Sequence, residues 1–75
     1  MTLTTIYALT AELARARTKF PQNSHLLAAL MEEVGELANA LLEKKPKTEI
    51  QREALQVATV AIRICEEGDS DWNEI

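Results

Sequence analysis

Between Leu26 and Leu42 apolar residues recur every three or four positions: Leu27, Leu30, Met31, Val34, Leu37, Ala38, Leu41 and Leu42. At about 100° per residue they share one face, so the spacing predicts a helix, running to about Lys44, whose apolar face is core. A second row, Leu26, Ala29, Glu33 and Ala40, lies about 100° from the centre of that face. Apart from the glutamate its members are small or apolar. A helix with a single neighbour would line its far side with Lys, Gln and Arg, so this row predicts a second packed surface with a carboxylate set into it. Glu36 points about 160° from the apolar centre.

The flanking segments read as two further helices. Leu3, Ile6, Leu9 (or Tyr7), Leu13 and Ala16 recur at helical spacing, with Thr2, Thr4 or Thr5 as the N-cap and Phe20-Pro21 as the stop near Lys19. Gln22, Asn23 and Ser24 make a turn, in which Asn23 or Ser24 can cap the second helix. Pro46 breaks that helix, and Thr48-Glu49-Ile50-Gln51 matches a capping box, so a third helix is expected from Glu49 through Glu67 to a left-handed Gly68. Its apolar arc is broad: Ile50, Ala54, Val57, Val60, Ala61, Ile64 and Cys65, extended by Leu55, Ala58 and Ile62. Arg52, Thr59, Arg63 and Glu66 form the polar strip. Trp72 and Ile75, near the end of the sequence, are expected to dock on a neighbour or on the first helix, after one helical turn capped by Ser70 or Asp71.

Two residues disturb the third helix. Glu53 falls between Val60 and Ile64, inside the apolar arc, where an unpaired carboxylate costs several kcal/mol. It needs a cation, a metal or a hydrogen-bond network, unless it reaches the surface near the start of the helix. Gln56, one turn on, looks toward the same region.

Composition narrows the classes. The 75 residues carry twelve acids against eight bases, a net charge of -4, and three aromatics. Affinity for a phosphate backbone comes from clustered Lys and Arg, so this balance argues against nucleic acid as a partner. No apolar run approaches the ~20 residues that span a bilayer, and no basic-then-apolar leader opens the sequence, so the expected location is cytoplasmic. Cys65 is the single cysteine and has no nearby His in sequence, which predicts a small core hydrophobe rather than a reactive thiol. The expected fold is therefore all-α: residues 1–75 as a single domain with two long antiparallel helices and an N-terminal helix. Below ~70–80 residues a single core rarely suffices, so a homodimer or homotetramer is expected, with a four-helix-type bundle made by the second and third helices of two chains.

That packing brings carboxylates together. Glu32, Glu33 and Glu36 facing Glu53 would repel one another in a partly dry space unless a divalent cation neutralised them. Oxygen ligands without His or Cys favour magnesium, then manganese, over zinc. Glu32-Glu33-x-x-Glu36, followed on the next helix by Glu53-x-x-Gln56, resembles the metal-binding signature of the MazG-like all-α nucleoside triphosphate pyrophosphohydrolases. The resemblance covers about residues 20 to 67 and is carried best by Leu30-Met31-Glu32-Glu33-Val34-Gly35-Glu36-Leu37. It implies magnesium-dependent hydrolysis of a nucleoside triphosphate to monophosphate and pyrophosphate. Glu33, Glu36 and Glu53 would then be metal ligands, and Glu32 a further ligand or the group that orients the attacking water. Lys44, Lys45, Lys47 and His25 are candidate phosphate contacts. For Lys44 and Lys45 the alternative is to complement the helix dipole, and for His25 a capping or surface role. The departure is Gln56, where the family has Asp: a neutral carbonyl oxygen replaces a charged ligand and weakens the site. The alternative reading is a catalytically weak or inactive module that binds metal or nucleotide, or serves as an assembly partner.

Overall fold

The computed structural model describes residues 1–72, and these form three α-helices and no strand. Helix α1 spans Leu3–Lys19, α2 Leu26–Leu42 and α3 Lys47–Glu67. The third helix is central: α1 and α2 both pack on it and do not touch each other. Helix α2 runs antiparallel to α3, with its N-terminus beside Asp69, whereas α1 runs parallel to α3, with Arg17 reaching Glu66 and Glu67.

Of the three threonines, Thr2 caps α1, its hydroxyl accepting from the Thr5 N–H at 3.1 Å. Phe20, held extended before Pro21, ends the helix as anticipated. Helix α2 is not capped by Asn23 or Ser24. Its N-cap is His25, in a left-handed conformation (φ 61°) with no capping side chain of its own. The orphan N–H groups are instead taken by the segment after α3: Asp69 accepts from Leu27 at 2.7 Å and Asp71 from His25 at 3.0 Å. Asn23 is used elsewhere, its amide donating to the Glu67 carbonyl at 2.8 Å and its own carbonyl accepting from the Ser70 N–H.

At its other end α2 closes in a Schellman turn. Lys44 sits at φ 54° with its N–H on the Leu41 carbonyl, and Lys45 donates to Ala40. Helix α3 begins at Lys47, ahead of the expected Glu49, because Pro46 takes the N-cap and its carbonyl accepts from Glu49 and Ile50. Thr48 is thus a helical residue and builds no capping box. Gly68 ends α3 at φ 71°, ψ -169°, a region open to glycine.

The packed surfaces differ from expectation in an informative way. Leu26 and Ala40, 6% and 3% exposed, are the buried hydrophobic residues among those described, and both belong to the second row of α2. This small-residue row lies on α3. The broad apolar face is largely uncovered in the single chain: Leu27, Met31, Val34, Ala38, Leu41 and Leu42 are exposed, while Leu30 and Leu37 are half-buried at its edge. One neighbouring helix can cover only one side of α2, and the alanines permit the closer approach.

Helix α3 shows the converse. Thr59 and Arg63, assigned to a polar strip, are its most buried residues at 1% and 3% exposure. These two lie between α1 and α2, and their polar atoms are satisfied there, whereas Arg52 and Glu66 of the strip are exposed. The Thr59 hydroxyl donates to the Leu55 carbonyl at 2.8 Å, and Arg63 donates to Glu67 and to the Gln22 carbonyl. Arg17 bonds the same Glu67, which closes a network joining α1, the α1–α2 connection and α3. Cys65 is exposed rather than core, on the outer flank of α3 with Ala54 and Ala61. Trp72 is 63% exposed, at the end of a turn in which its N–H donates to the Asp69 carbonyl. Ile75 lies outside the described residues.

Candidate metal centre and adjoining groove

Glu33 and Glu36 come from successive turns of α2, and Glu53 from the first half of α3. The packing of α2's second row on α3 brings one oxygen of each to within 4.8 Å of the other two. Glu33 and Glu53 are half-buried and Glu36 is exposed, so the cluster opens to solvent on one side. Burial, a hydrogen bond with the Glu36 carboxyl and the charges of Glu36, Glu53 and Glu32 push the Glu33 carboxyl up to about 7. Adjacent carboxylates share protons or share a cation. Three carboxylates with one open side could hold a hard divalent ion that keeps several waters, such as magnesium.

Glu32 is exposed and lines, with Glu33, a groove between α1 and α2 whose cavity measures about 490 Å³. The floor is α3, presenting Gln56, Thr59, Val60 and Arg63, and the opposite wall is the C-terminal half of α1. Gln56 thus lines the same groove as Glu32 and Glu33. Its amide nitrogen is committed to α1, donating to Glu12 Oε2 at 2.8 Å, which leaves the carbonyl oxygen as the group free to face a cation. Glu12 is also held by Arg15, whose Nε donates at 3.1 Å, and that hydrogen bond above all holds the Glu12 carboxyl below its ordinary range.

The four candidate phosphate contacts separate. His25 lines the groove and bonds Asp71 through Nδ1 at 2.9 Å. Lys44, Lys45 and Lys47 sit at the α2–α3 connection and do not line it, and Lys45 faces Glu43 at 3.4 Å. The groove's cations are instead Arg15 and Lys19 of α1, with Arg63 beneath. The sequence carried a signal for them: Glu12, Arg15 and Lys19 form an i, i+3, i+7 row of long polar side chains flanking the packed row Leu9, Leu13 and Ala16.

No family model matches the chain, and no curated protein or solved structure matches it either.

Proposed function

We propose that the chain is a magnesium-dependent hydrolase of nucleoside triphosphates, releasing pyrophosphate and a nucleoside monophosphate, and that it acts as a homo-oligomer. The observation that carries this reading is the Glu33, Glu36 and Glu53 cluster, its oxygens within 4.8 Å, set beside a groove of about 490 Å³ with acids on one wall and bases on the other. The donor set suits magnesium, with manganese as a substitute, and Glu33, Glu36 and Glu53 would hold the ion while Gln56 offers a neutral oxygen. When bound, the ion supplies neutralisation of phosphate oxygens. Glu32, exposed at the groove wall, would orient a water and accept its proton. Arg63 and Thr59 keep the floor rigid, because their polar atoms are already satisfied by the protein. The exposed apolar face of α2 supports a partner chain.

One observation favours a second reading. Gln56 is a neutral amide and its nitrogen is tied to Glu12, so the position occupied by Asp in the resembling family contributes no charge here and is partly committed to α1. A module that binds metal or nucleotide with little turnover, or that serves in assembly, has this arrangement too.

Pyrophosphate release from a panel of nucleoside triphosphates, with magnesium or manganese and with a chelator, separates the two. The hydrolase reading expects metal-dependent release, reduced at least a hundredfold in Glu33→Ala and Glu53→Ala, on the order of the loss when charge stabilisation is removed from such a site. A folded protein silent across the panel would move the assignment to the binding module.

A further inference from the structure

We infer that Lys19, with Arg15 one turn before it, forms an anion subsite on the α1 wall of the groove and binds the phosphate chain of a nucleotide. The naming of the anion rests on the hydrolase reading above; the subsite itself does not.

The groove's cations differ in how far the protein already neutralises them. Arg63 is neutralised by Glu67, and the His25 ring is held by Asp71. Arg15 is bonded to Glu12 through Nε and one terminal nitrogen, which leaves its other terminal nitrogen without a protein partner among the described residues. Lys19 has no carboxylate partner among the described residues. Its ammonium instead stands 5.5 Å from the centroid of the Phe20 ring, itself exposed on the groove rim. A ring face holds a cation in place without consuming its hydrogen-bond donors, so all three N–H groups of Lys19 remain available. A compact ammonium on a flexible stem, opposite the carboxylates of Glu32 and Glu33, is suited to a charge-assisted hydrogen bond with a phosphate oxygen. An elongated anion carrying cations at its other end would match both walls of the groove at once.

Isotope-labelled protein is titrated with sodium pyrophosphate, first with a chelator and then with magnesium chloride, and amide shifts are followed by NMR. The expected result is a set of shifts concentrated at Arg15 to Phe20 and His25. Affinity should fall about tenfold in Lys19→Gln, the size of one hydrogen bond to a charged group, with affinity kept in Lys19→Arg and in the control Lys44→Gln. Unchanged affinity in Lys19→Gln, or shifts centred on residues 44–47, would overturn the subsite. The two readings fail separately. Turnover of nucleotides with an unaltered KM in Lys19→Gln leaves the hydrolase standing and removes the subsite. Pyrophosphate bound at Lys19 by a protein inert toward every nucleotide does the reverse.

Discussion

Glu33 carries the carboxyl whose charge the fold opposes most. Its carboxyl is raised to about 7 from an ordinary 4.5, chiefly by burial and then by Glu36, so the folded chain binds this proton more tightly than the unfolded chain does. The stabilisation is fully present below about 4.5 and is lost as pH rises through about 7. Glu12, Glu67 and Asp69 have the opposite sign: Arg15, Arg63 and the Leu27 N–H, respectively, lower their carboxyls, and their contribution is lost as pH falls below the ordinary carboxylate range. Thermal unfolding is therefore expected to show greatest stability near pH 5 in the absence of metal, just above the ordinary carboxylate range, and to decline from there toward pH 7. Glu33→Gln should flatten the alkaline decline, gaining on the order of 1 kcal/mol at pH 8 once solvent screening is allowed for. Magnesium should raise the wild-type melting temperature at pH 8 and leave Glu33→Gln nearly unmoved. An equal magnesium effect on both proteins would remove Glu33 from the proposed metal centre.

The start of α2 shows what an element gains from a distant segment. With His25 left-handed and no local cap, the first turn depends on Asp69 and Asp71, which accept from Leu27 and His25. Asp69→Ala is expected to lower the melting temperature and to speed hydrogen exchange at Leu27 and its neighbours, while Asp69→Asn, which keeps an acceptor, retains much of the protection. Equal exchange rates in all three proteins would show that the turn stands without its remote cap. This contact was not legible in the sequence, where Asp69 is separated from Leu27 by all of α2 and α3. The three helices were legible, because the 3.6-residue period, Pro21, Pro46 and Gly68 are local signals. The acidic cluster was legible for the same reason. Glu33 and Glu36 are fixed by helical spacing, and Glu53 conflicts with the apolar arc around it. The burial of Thr59 and Arg63, and the pairing of Gln56 with Glu12, depend on how α1 lies across α3, which no local pattern encodes.

The broad apolar side of α2 is left exposed by the single chain among the described residues. Leu27, Met31, Val34, Ala38 and Leu41 are separated alternately by four and three residues, the spacing of a coiled-coil seam, and all five are exposed. Burying one large apolar side chain contributes about 1.5–3 kcal/mol, so a second copy covering this stripe would add more than the few buried residues of the single chain supply. The neighbouring flank of α3, with Ala54, Ala61 and Cys65, is small enough to admit that partner closely. In sedimentation equilibrium the wild-type chain is expected at twice its 8.4 kDa or more, and Val34→Glu at the single-chain mass with a lower melting temperature. A wild type that sediments at 8.4 kDa would remove the partner. The same variant tests how the site is built. Glu33 and Glu36 lie off the stripe, where α2 meets Glu53 of α3 in the same chain, so the monomeric variant should keep its magnesium-dependent rise in melting temperature at pH 8. Loss of that response together with the dimer would mean that the partner, by pressing α2 onto α3, sets the distances within the cluster.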